Sequence, residues 1–459
     1  RADGSFEERA QALGLGLAAD DYGVACADAN DDGALDLVLL GREHTRLYRG
    51  SGDGRFELAR DAASFAPDDW SVAGAWLDYD RDGDLDLFVV NYVRWNPDTT
   101  CIGGSGQVDY CGPDAFDPWP DVLYANDGSG TFTNVTAEAG VERPGSGLGV
   151  VTADLTEDGW VDIYVANDMR ENHLWVNRTD GTFREEGMLR GVGVNGTGRP
   201  EASMGVCLDD IDHDGRLDLF MTHIQGQTNT IYSTLRGGLW SDVTARGGMG
   251  AFDMEATGFG CAFFDLEHDG DLDLVVANGR VYRQSNALAT DLGPFWSNYG
   301  ESDSFYTNDG RGRFTPQRAA AVDLTGPSRV SRGLAVGDLD GDGDVDMVLS
   351  ALGNRLRIFE NTAGDGHWLR VDARLGADRR SALGAEIEVT VNGRSQRRVL
   401  TSTYSYGSAS EPIVHFGLGS HATYDALRVV WPDGTEESFP GGEADRTVVL
   451  LPVDRTATR

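Results

Sequence analysis

The sequence predicts an all-β fold: a β-propeller of six four-stranded blades, or seven if an enlarged unit hides a degenerate one, followed by a small antiparallel β domain. Three observations predict it. A nine-residue acidic pattern returns six times, each copy followed by the short apolar run of a strand. Around each copy the same succession of strand-like segments and turns recurs. Past residue 365 that pattern stops, and alternating apolar and polar positions take over.

The acidic copies are Asp28, Asn30, Asp32, Asp36; Asp78, Asp80, Asp82, Asp86; Asp154, Thr156, Asp158, Asp162; Asp210, Asp212, Asp214, Asp218; Asp265, Glu267, Asp269, Asp273; and Asp338, Asp340, Asp342, Asp346. Each has a Gly at its sixth position, where a sharp turn is needed. Carboxylates at positions 1, 3, 5 and 9 read as the first half of a calcium loop, because oxygen-only ligands suit a hard cation. The closing carboxylate leads into a strand, so the loop is not a helix-loop-helix site. Asp and Gly also cluster in ordinary surface turns, but six copies in one phase with a following Leu, Val or Ile point to up to six structural Ca2+ sites. Asn30 and Thr156 replace carboxylates, so the first and third sites should be weaker.

The first Asp of successive copies is separated by 50, 76, 56, 55 and 73 residues. A unit of about 50 to 56 residues therefore repeats, twice enlarged by some 20. Within a unit come a Gly-led strand (GVACAD, GCAFFD), the acidic loop, a second strand (LDLVLL, LDLFVV), a third ending in a turn (LYANDGSG, FYTNDGRG) and a fourth opening on an aromatic residue (TFTNVT, RFTPQR). Four short strands joined by Gly, Asn and Asp turns describe a propeller blade. The N-terminal GSFEERA reads as the fourth strand of the last unit, which would close the ring.

Composition narrows the partners. A formal charge of −37 on 459 residues excludes a nucleic-acid backbone or an anionic membrane as partner. The ligand positions hold 22 of the 75 acidic residues, and six divalent ions would cut the charge to about −25. All 38 basic residues are Arg, which excludes lysine Schiff-base chemistry and reads as a GC-rich coding bias of bacterial type. No apolar run is long enough to span a membrane. The start at Arg1 reads as processed or trimmed. Cys101 and Cys111 sit in a Gly/Pro/Asp-rich insertion with no core of its own, where a disulfide would staple it. Cys26, Cys207 and Cys261 fall in apolar stretches and read as small buried hydrophobes. A secreted, periplasmic or cell-surface monomer is expected.

The six loops, VLYANDGSGTFTNVTAEAGV (122–141), VDIYVANDMRENHLWVN (161–177) and a terminal block with HWLRVDARLG, ALGAEIEV, HFGLG and VVWPDG together resemble the FG-GAP/VCBS calcium propellers that carry an ASPIC/UnbV domain, similar to the cartilage acidic protein family. The resemblance implies a propeller over 1–365 and an ASPIC/UnbV domain over 366–459. GSASEP (407–412) departs from the family pattern, which expects a Gln near Ser410. From its own residues the terminal block is antiparallel, with Asn392-Gly393 and Asp433-Gly434 as hairpin turns and His415 and Trp431 as packing residues.

The resemblance also implies that the chain leaving each second strand reaches the face opposite the loops. Five residues past the last loop Asp lie Gly41, Asn91, Asn167, His223, Asn278 and Ala351, and both enlarged connections, 93–119 and 280–304, start there. Binding residues concentrate on such connections. Ligand contact is therefore expected at Asn91, Tyr92, Asn167, Asp168, Arg170, His223, Asn278 and Arg280, against the plainer reading that the Asn residues cap strand ends. No HExxH, Walker, GxSxG or GxGxxG motif is present in a supporting context. Three functions follow: a recognition module for a protein or glycan, an enzyme acting on a small molecule or peptide with Asp168, His223 and Arg280 as candidate catalytic residues, or a purely structural surface protein.

Overall fold

The computed structural model describes residues 6–16, 20–59, 65, 70–104, 106–250, 253–284, 290–317, 322–326, 328–376 and 380–453. It is all-β. Six antiparallel sheets follow one another in chain order, each with its strands in sequence order. Sheet one runs Asp21–Ala27, Asp36–Gly41, His44–Gly50 and Phe56–Leu58. Sheet two is Ser71–Leu77, Asp86–Asn91, Val122–Asn126 and Phe132–Asn134. Sheet three is Gly147–Ala153, Asp162–Arg170, His173–Asn177 and Phe183–Glu185. Sheet four is Val206–Asp209, Asp218–Met221, Thr230–Leu235 and Leu239–Asp242. Sheet five is Gly258–Phe264, Asp273–Asn278, Ser304–Asn308 and Phe314–Pro316. Sheet six has three strands among the described residues, Ser331–Gly337, Asp346–Ala351 and Arg357–Phe359.

Small and branched residues dominate the first two strands because those strands are covered on both faces. All seven residues of Ser71–Leu77 and all six of Asp86–Asn91 are buried. Apolar clusters fill the spaces between neighbours: Trp76, Leu40 and Phe132 between sheets one and two, Phe88, Val150 and Trp175 between two and three, Phe220, Cys261 and Leu274 between four and five. The leading glycines have a steric cause. A Cβ on Gly23 would lie 2.0 Å from the Val72 carbonyl oxygen, and one on Gly205 would lie 1.9 Å from that of Phe259. Successive first strands thus approach backbone to backbone, which only Gly permits.

Residues 367–450 form two further sheets. His367–Leu375 pairs with Arg380–Ser381 and Val414–Gly419 and runs parallel to Arg446–Leu450. Glu386–Val391 lies between Arg394–Val399 and Thr423–Val430, the latter joined to Glu436–Glu443. Trp431, Phe416, Leu369 and Ile387 are buried between them. Val391 pairs with Arg394 across Asn392 and Gly393, both left-handed as a two-residue hairpin requires.

This terminal region stands on the acidic-loop side. Arg370 pairs with Asp338 (2.7 Å) and Glu411 (2.6 Å), Arg398 lies 3.5 Å from Asp209, Arg397 donates to the Gly215 carbonyl and Arg380 to that of Gly83. From it a small hairpin, Thr403–Tyr404 with Ser408–Ala409, reaches in among the sheets. It packs against the first strands of sheets one, two, three, four and six, and Ser405 Oγ accepts the Cys261 N–H of sheet five. Ser405 and Val206 exchange both backbone hydrogen bonds, Val24 N–H donates to the Gly407 carbonyl and Glu411 N–H to that of Val336. One short hairpin can touch six first strands only if they converge on it, so the arrangement is propeller-like and its axis is filled.

Two expectations change. Phe6–Arg9 of GSFEERA is not in a strand: the Leu13 carbonyl accepts the Phe56 N–H and draws the N-terminal segment along sheet one, leaving Phe6 exposed. Residues 1–5 lie outside the described residues. Nor does either enlarged unit hold another four-stranded sheet among the described residues. The first contributes only short strands, Val93–Arg94 and Asp117–Pro120, to a three-stranded sheet completed by Pro144–Gly145.

Because Tyr404 packs against three inter-sheet clusters at once, Tyr404→Ala is expected to cost roughly 3 kcal/mol. A chain ending at Asp365 should show no cooperative melting transition by scanning calorimetry. Unchanged melting of either variant would separate the hairpin from the stability of the sheets.

Candidate functional site

The six acidic loops share one construction. Residues at position 4 (Asp31, Arg81, Glu157, His213, His268, Gly341) and the Gly at position 6 all have positive φ. These two left-handed residues turn the chain tightly enough for the first carboxylate to accept N–H groups from within its own loop. Asp28, Asp154, Asp210 and Asp265 each take the N–H groups of positions 5 and 6 at 2.7–3.1 Å. The position-5 carboxylate accepts the N–H of position 7 in all six copies, as Asp82 does from Asp84 at 2.9 Å.

Position 9 ties the loop to the sheet. Oδ2 of Asp36, Asp86, Asp162, Asp218 and Asp346 accepts the N–H of position 2 in its loop. Oδ1 of Asp86, Asp162, Asp273 and Asp346 accepts the N–H of an Asn at the end of the third strand: Asn126, Asn177, Asn308 and Asn361. The same Asn side chains reach back to the preceding sheet, donating to the position-2 carbonyls of Ala29, Tyr79, Ile211 and Leu266 at 2.7–3.0 Å. These clasps were missed from sequence, although the Asn stands in every quoted third-strand turn they use.

What remains in the loops suits a cation. Asn30 Oδ1, Asp78 Oδ1, Thr156 Oγ1, Asp212 Oδ1 and Asp273 Oδ2 are buried with no hydrogen-bond partner, a costly state for an acceptor unless something positive meets it. Oxygens of Asp78, Asp80 and Asp86, of Asp210, Asp212 and Asp218, and of Asp338, Asp340 and Asp346 gather within 4.8 Å of one another. Burial, with neighbouring carboxylates adding to it, raises Asp86 and Asp273 to about 9, Asp218 and Asp162 to about 8 and Asp78 and Asp265 to about 7. Without a counter-charge these groups resist ionisation at neutral pH.

The expected ligand positions lie at the other end of the second strands. Asn91 pairs across from Ser71, Asn167 from Gly147 and Asn278 from Gly258. Their side chains are buried and turned onto neighbouring strand ends. Asn91 accepts from Ser71 Oγ and donates to the Pro120 carbonyl; Asn167 accepts the Ser146 N–H and donates to the Glu171 carbonyl; Asn278 donates to the Ser302 carbonyl and Ser304 Oγ. His223 is buried 3.1 Å from Ser203 Oγ, and burial lowers its pKa to about 3, so it is neutral. Arg280 pairs with Glu301 at 3.0 Å and Arg170 Nε donates to Ser146 Oγ. Tyr92 donates to Asp168 Oδ2 at 2.8 Å, and burial raises Asp168 to about 6. The structure brings Tyr92 and Asp168 together beside Tyr406 of the axial hairpin, whose ring meets Phe259 edge-on at 4.9 Å. Arg332, also unread in the sequence, stacks 3.8 Å over the ring of Phe259.

Above these residues the two enlarged connections meet. Cys101 and Cys111 are disulfide-bonded, and Asp109 between them accepts the Tyr299 hydroxyl (2.8 Å) and the Arg283 N–H (2.9 Å). Arg283 also donates to Gln107, and Tyr110 and Tyr299 lie edge to face at 5.6 Å. Insertions of sheets two and five thereby form one lid. Ile102, Val108, Tyr110, Tyr282 and Phe295 stand on it, between 46% and 62% exposed.

Among the described residues no helix is long and apolar enough to cross a membrane. Comparison with known proteins matches residues 28–89, 104–165, 154–221, 210–276 and 295–349 to the FG-GAP-like repeat family, and residues 376–457 to the ASPIC and UnbV family. The chain is 25% identical over 453 residues to cartilage acidic protein 1 of Homo sapiens, covering 94% of this chain and 63% of the relative, and 28% identical over 321 residues to that of Xenopus tropicalis, covering 66% and 44%. It thus spans less than two thirds of the relatives it matches. Among solved structures, an Agrocybe aegerita lectin described as recognising non-reducing terminal N-acetylglucosamine aligns over 78% of this chain and 84% of its own, with 16% identity and a TM-score of 0.42. With the repeat matched across most of residues 28–349, the chain belongs to the FG-GAP-like repeat family and carries an ASPIC and UnbV region at its C-terminal end.

Proposed function

We propose that the protein is a secreted, calcium-stabilised six-bladed propeller, 1–365, locked to its terminal region, 366–459, and acting as a recognition module through the lid opposite the acidic loops. The observation that carries the reading is the lid. The insertion of sheet two, closed on itself by a disulfide, is joined to that of sheet five through Asp109, yet the two leave five large apolar side chains in solvent. Rigid exposed aromatic and aliphatic groups of this kind favour binding, since little entropy is lost when they are covered. The terminal region occupies the loop side and the hairpin occupies the axis, so the lid is the face left to a partner. A protein or glycan suits this open surface better than a small-molecule substrate. The Cys101–Cys111 bond supports an oxidising compartment.

Calcium would be held by Asp28, Asn30, Asp32 and Asp36 and their equivalents in the other five loops. When bound it neutralises the buried carboxylates. Each site filled at a hundred times its Kd adds about 2.7 kcal/mol, so six add roughly 16 kcal/mol. Chelation by EDTA should therefore lower Tm by tens of degrees, and millimolar Ca2+ should restore it. Equal melting curves would remove calcium from the account.

The pH dependence has a definite sign. Carboxyls raised to about 7–9 in the folded, metal-free chain bind protons more tightly than in the unfolded chain. Their contribution is fully present near pH 4 and is lost as pH rises through 7 to 9. In EDTA the protein should melt higher at pH 5 than at pH 8, and Ca2+ should reverse that order. A metal-free Tm that rises with pH would contradict the burial of these groups.

The sites should also differ. Asp340→Ala removes one of the three oxygens gathered in loop six, whereas Asn30→Ala alters a loop with fewer carboxylates. In Ca2+ the first should cost a few kcal/mol and the second about half as much or less. Paired melts in the reverse order would show that carboxylate number does not rank the loops.

The recognition reading is tested on an array of immobilised proteins and glycans with calcium-loaded protein. Ile102→Ser with Phe295→Ser should abolish capture at unchanged Tm. Capture that survives both changes would move the binding surface elsewhere.

A further inference from the structure

We propose that Cys207 and Cys261 form a second disulfide in the mature protein, joining the first strands of sheets four and five next to the axial hairpin. In the structure both are free, buried thiols, and they share one apolar cluster with Phe220, Ile231 and Leu274. Their exposures are 2% and 0%, so neither side chain faces solvent.

The strand registers explain the meeting. Asp209 pairs with Asp218 in sheet four as Phe264 pairs with Asp273 in sheet five, so Cys207 corresponds to Ala262 and Cys261 to Val206. The two cysteines are therefore one residue out of step along equivalent strands. Side chains alternate between the faces of a sheet, so one cysteine points forward from sheet four and the other back from sheet five. Just upstream the backbones are in contact, since a Cβ on Gly205 would lie 1.9 Å from the Phe259 carbonyl oxygen. Thr222 Oγ1 donates to that same carbonyl at 2.8 Å. The two first strands therefore pack closely, with both cysteines in the cluster between them, and a disulfide needs only that their Cα atoms come within about 7 Å.

The reaction is a dithiol oxidation by a disulfide such as oxidised glutathione. One cysteine thiolate attacks it and releases a glutathione thiolate, forming a mixed disulfide. The other cysteine then attacks that bond and releases the second glutathione. Two protons and two electrons leave the protein, and the oxidant becomes two thiols. Burial keeps the folded Cys207 a thiol, so the exchange belongs to folding, before sheets four and five close on Ser405 and Tyr404. The product spans a long loop and constrains the unfolded chain accordingly.

The proposal rests on the oxidising compartment assigned above, and one experiment separates the two. Calcium-loaded full-length protein secreted into an oxidising medium is denatured in N-ethylmaleimide without reductant, digested and read by mass spectrometry. The expected result is a Cys207–Cys261 linked peptide beside the Cys101–Cys111 one, with label on Cys26 alone. Labelled Cys207 and Cys261 in a chain whose Cys101–Cys111 bond is intact would overturn the proposal and leave the compartment standing. Both pairs labelled would overturn both. Linkage of Cys26 to either residue would also overturn it. As a second reading, Cys207→Val with Cys261→Val should lower Tm by several degrees in non-reducing buffer, and an unchanged Tm would count against a bond.

Discussion

The buried carboxylate at position 9 of each acidic loop is the joint on which the arrangement turns. In three of the six copies, Asp86, Asp162 and Asp346, it holds its own loop through the position-2 N–H and receives the third strand through an Asn N–H. That Asn then clasps the loop of the preceding sheet. Contacts within a sheet and between sheets therefore run through one ionisable group that water hardly reaches. Its ionisation state is a property of the whole molecule, and a divalent cation bound there would fasten the sheets together as well as the loop.

The clasp is absent at two places, for reasons of side-chain chemistry. Gly50 occupies the corresponding turn of sheet one and has no side chain, although its N–H still reaches Asp36 Oδ1. In sheet four Thr234 bonds to the Leu217 carbonyl of its own sheet. There Glu157 of sheet three accepts the Arg216 side chain and the Gly237 N–H instead. Between sheets six and one, the hairpin packs against both first strands. The terminal region is thus built into the sheet array rather than appended to it.

Much of this was legible in the sequence because its causes are local. Loop spacing, the left-handed glycines and the Asn392-Gly393 hairpin follow from short-range sterics, and the structure bears them. The Cys101–Cys111 pair could be read because its insertion lacked anything else to hold it. Contacts between distant residues could not be read. Nothing near Ser405 says that it will meet Val206 and Cys261, and GSASEP stands out in the sequence only as a departure from the family pattern, whereas part of it lines the axis. The strand-end residues illustrate the same limit. Asn91, Asn167 and Asn278 were recognised as equivalent, but their partners Pro120, Glu171 and Ser302 become neighbours only once the third strand has paired. The N-terminal segment failed for a related reason: an aromatic-led pattern cannot say which sheet edge it will follow.

The axial hairpin has a kinetic consequence. Its partners Val24 and Val206 lie some 380 and 200 residues earlier in the chain, so the contacts that seal the axis are among the most distant in the molecule. Loop closure over such spans is slow, and folding rates fall as contacts become less local. During synthesis the sheets emerge in order, but the inner strands have nothing to converge on until the hairpin Thr403–Tyr404 with Ser408–Ala409 follows all six sheets. A long-lived, open-centred intermediate with bare inner edges is the natural result, and it is at this stage that the chain is most exposed to proteases and to pairing with its own copies.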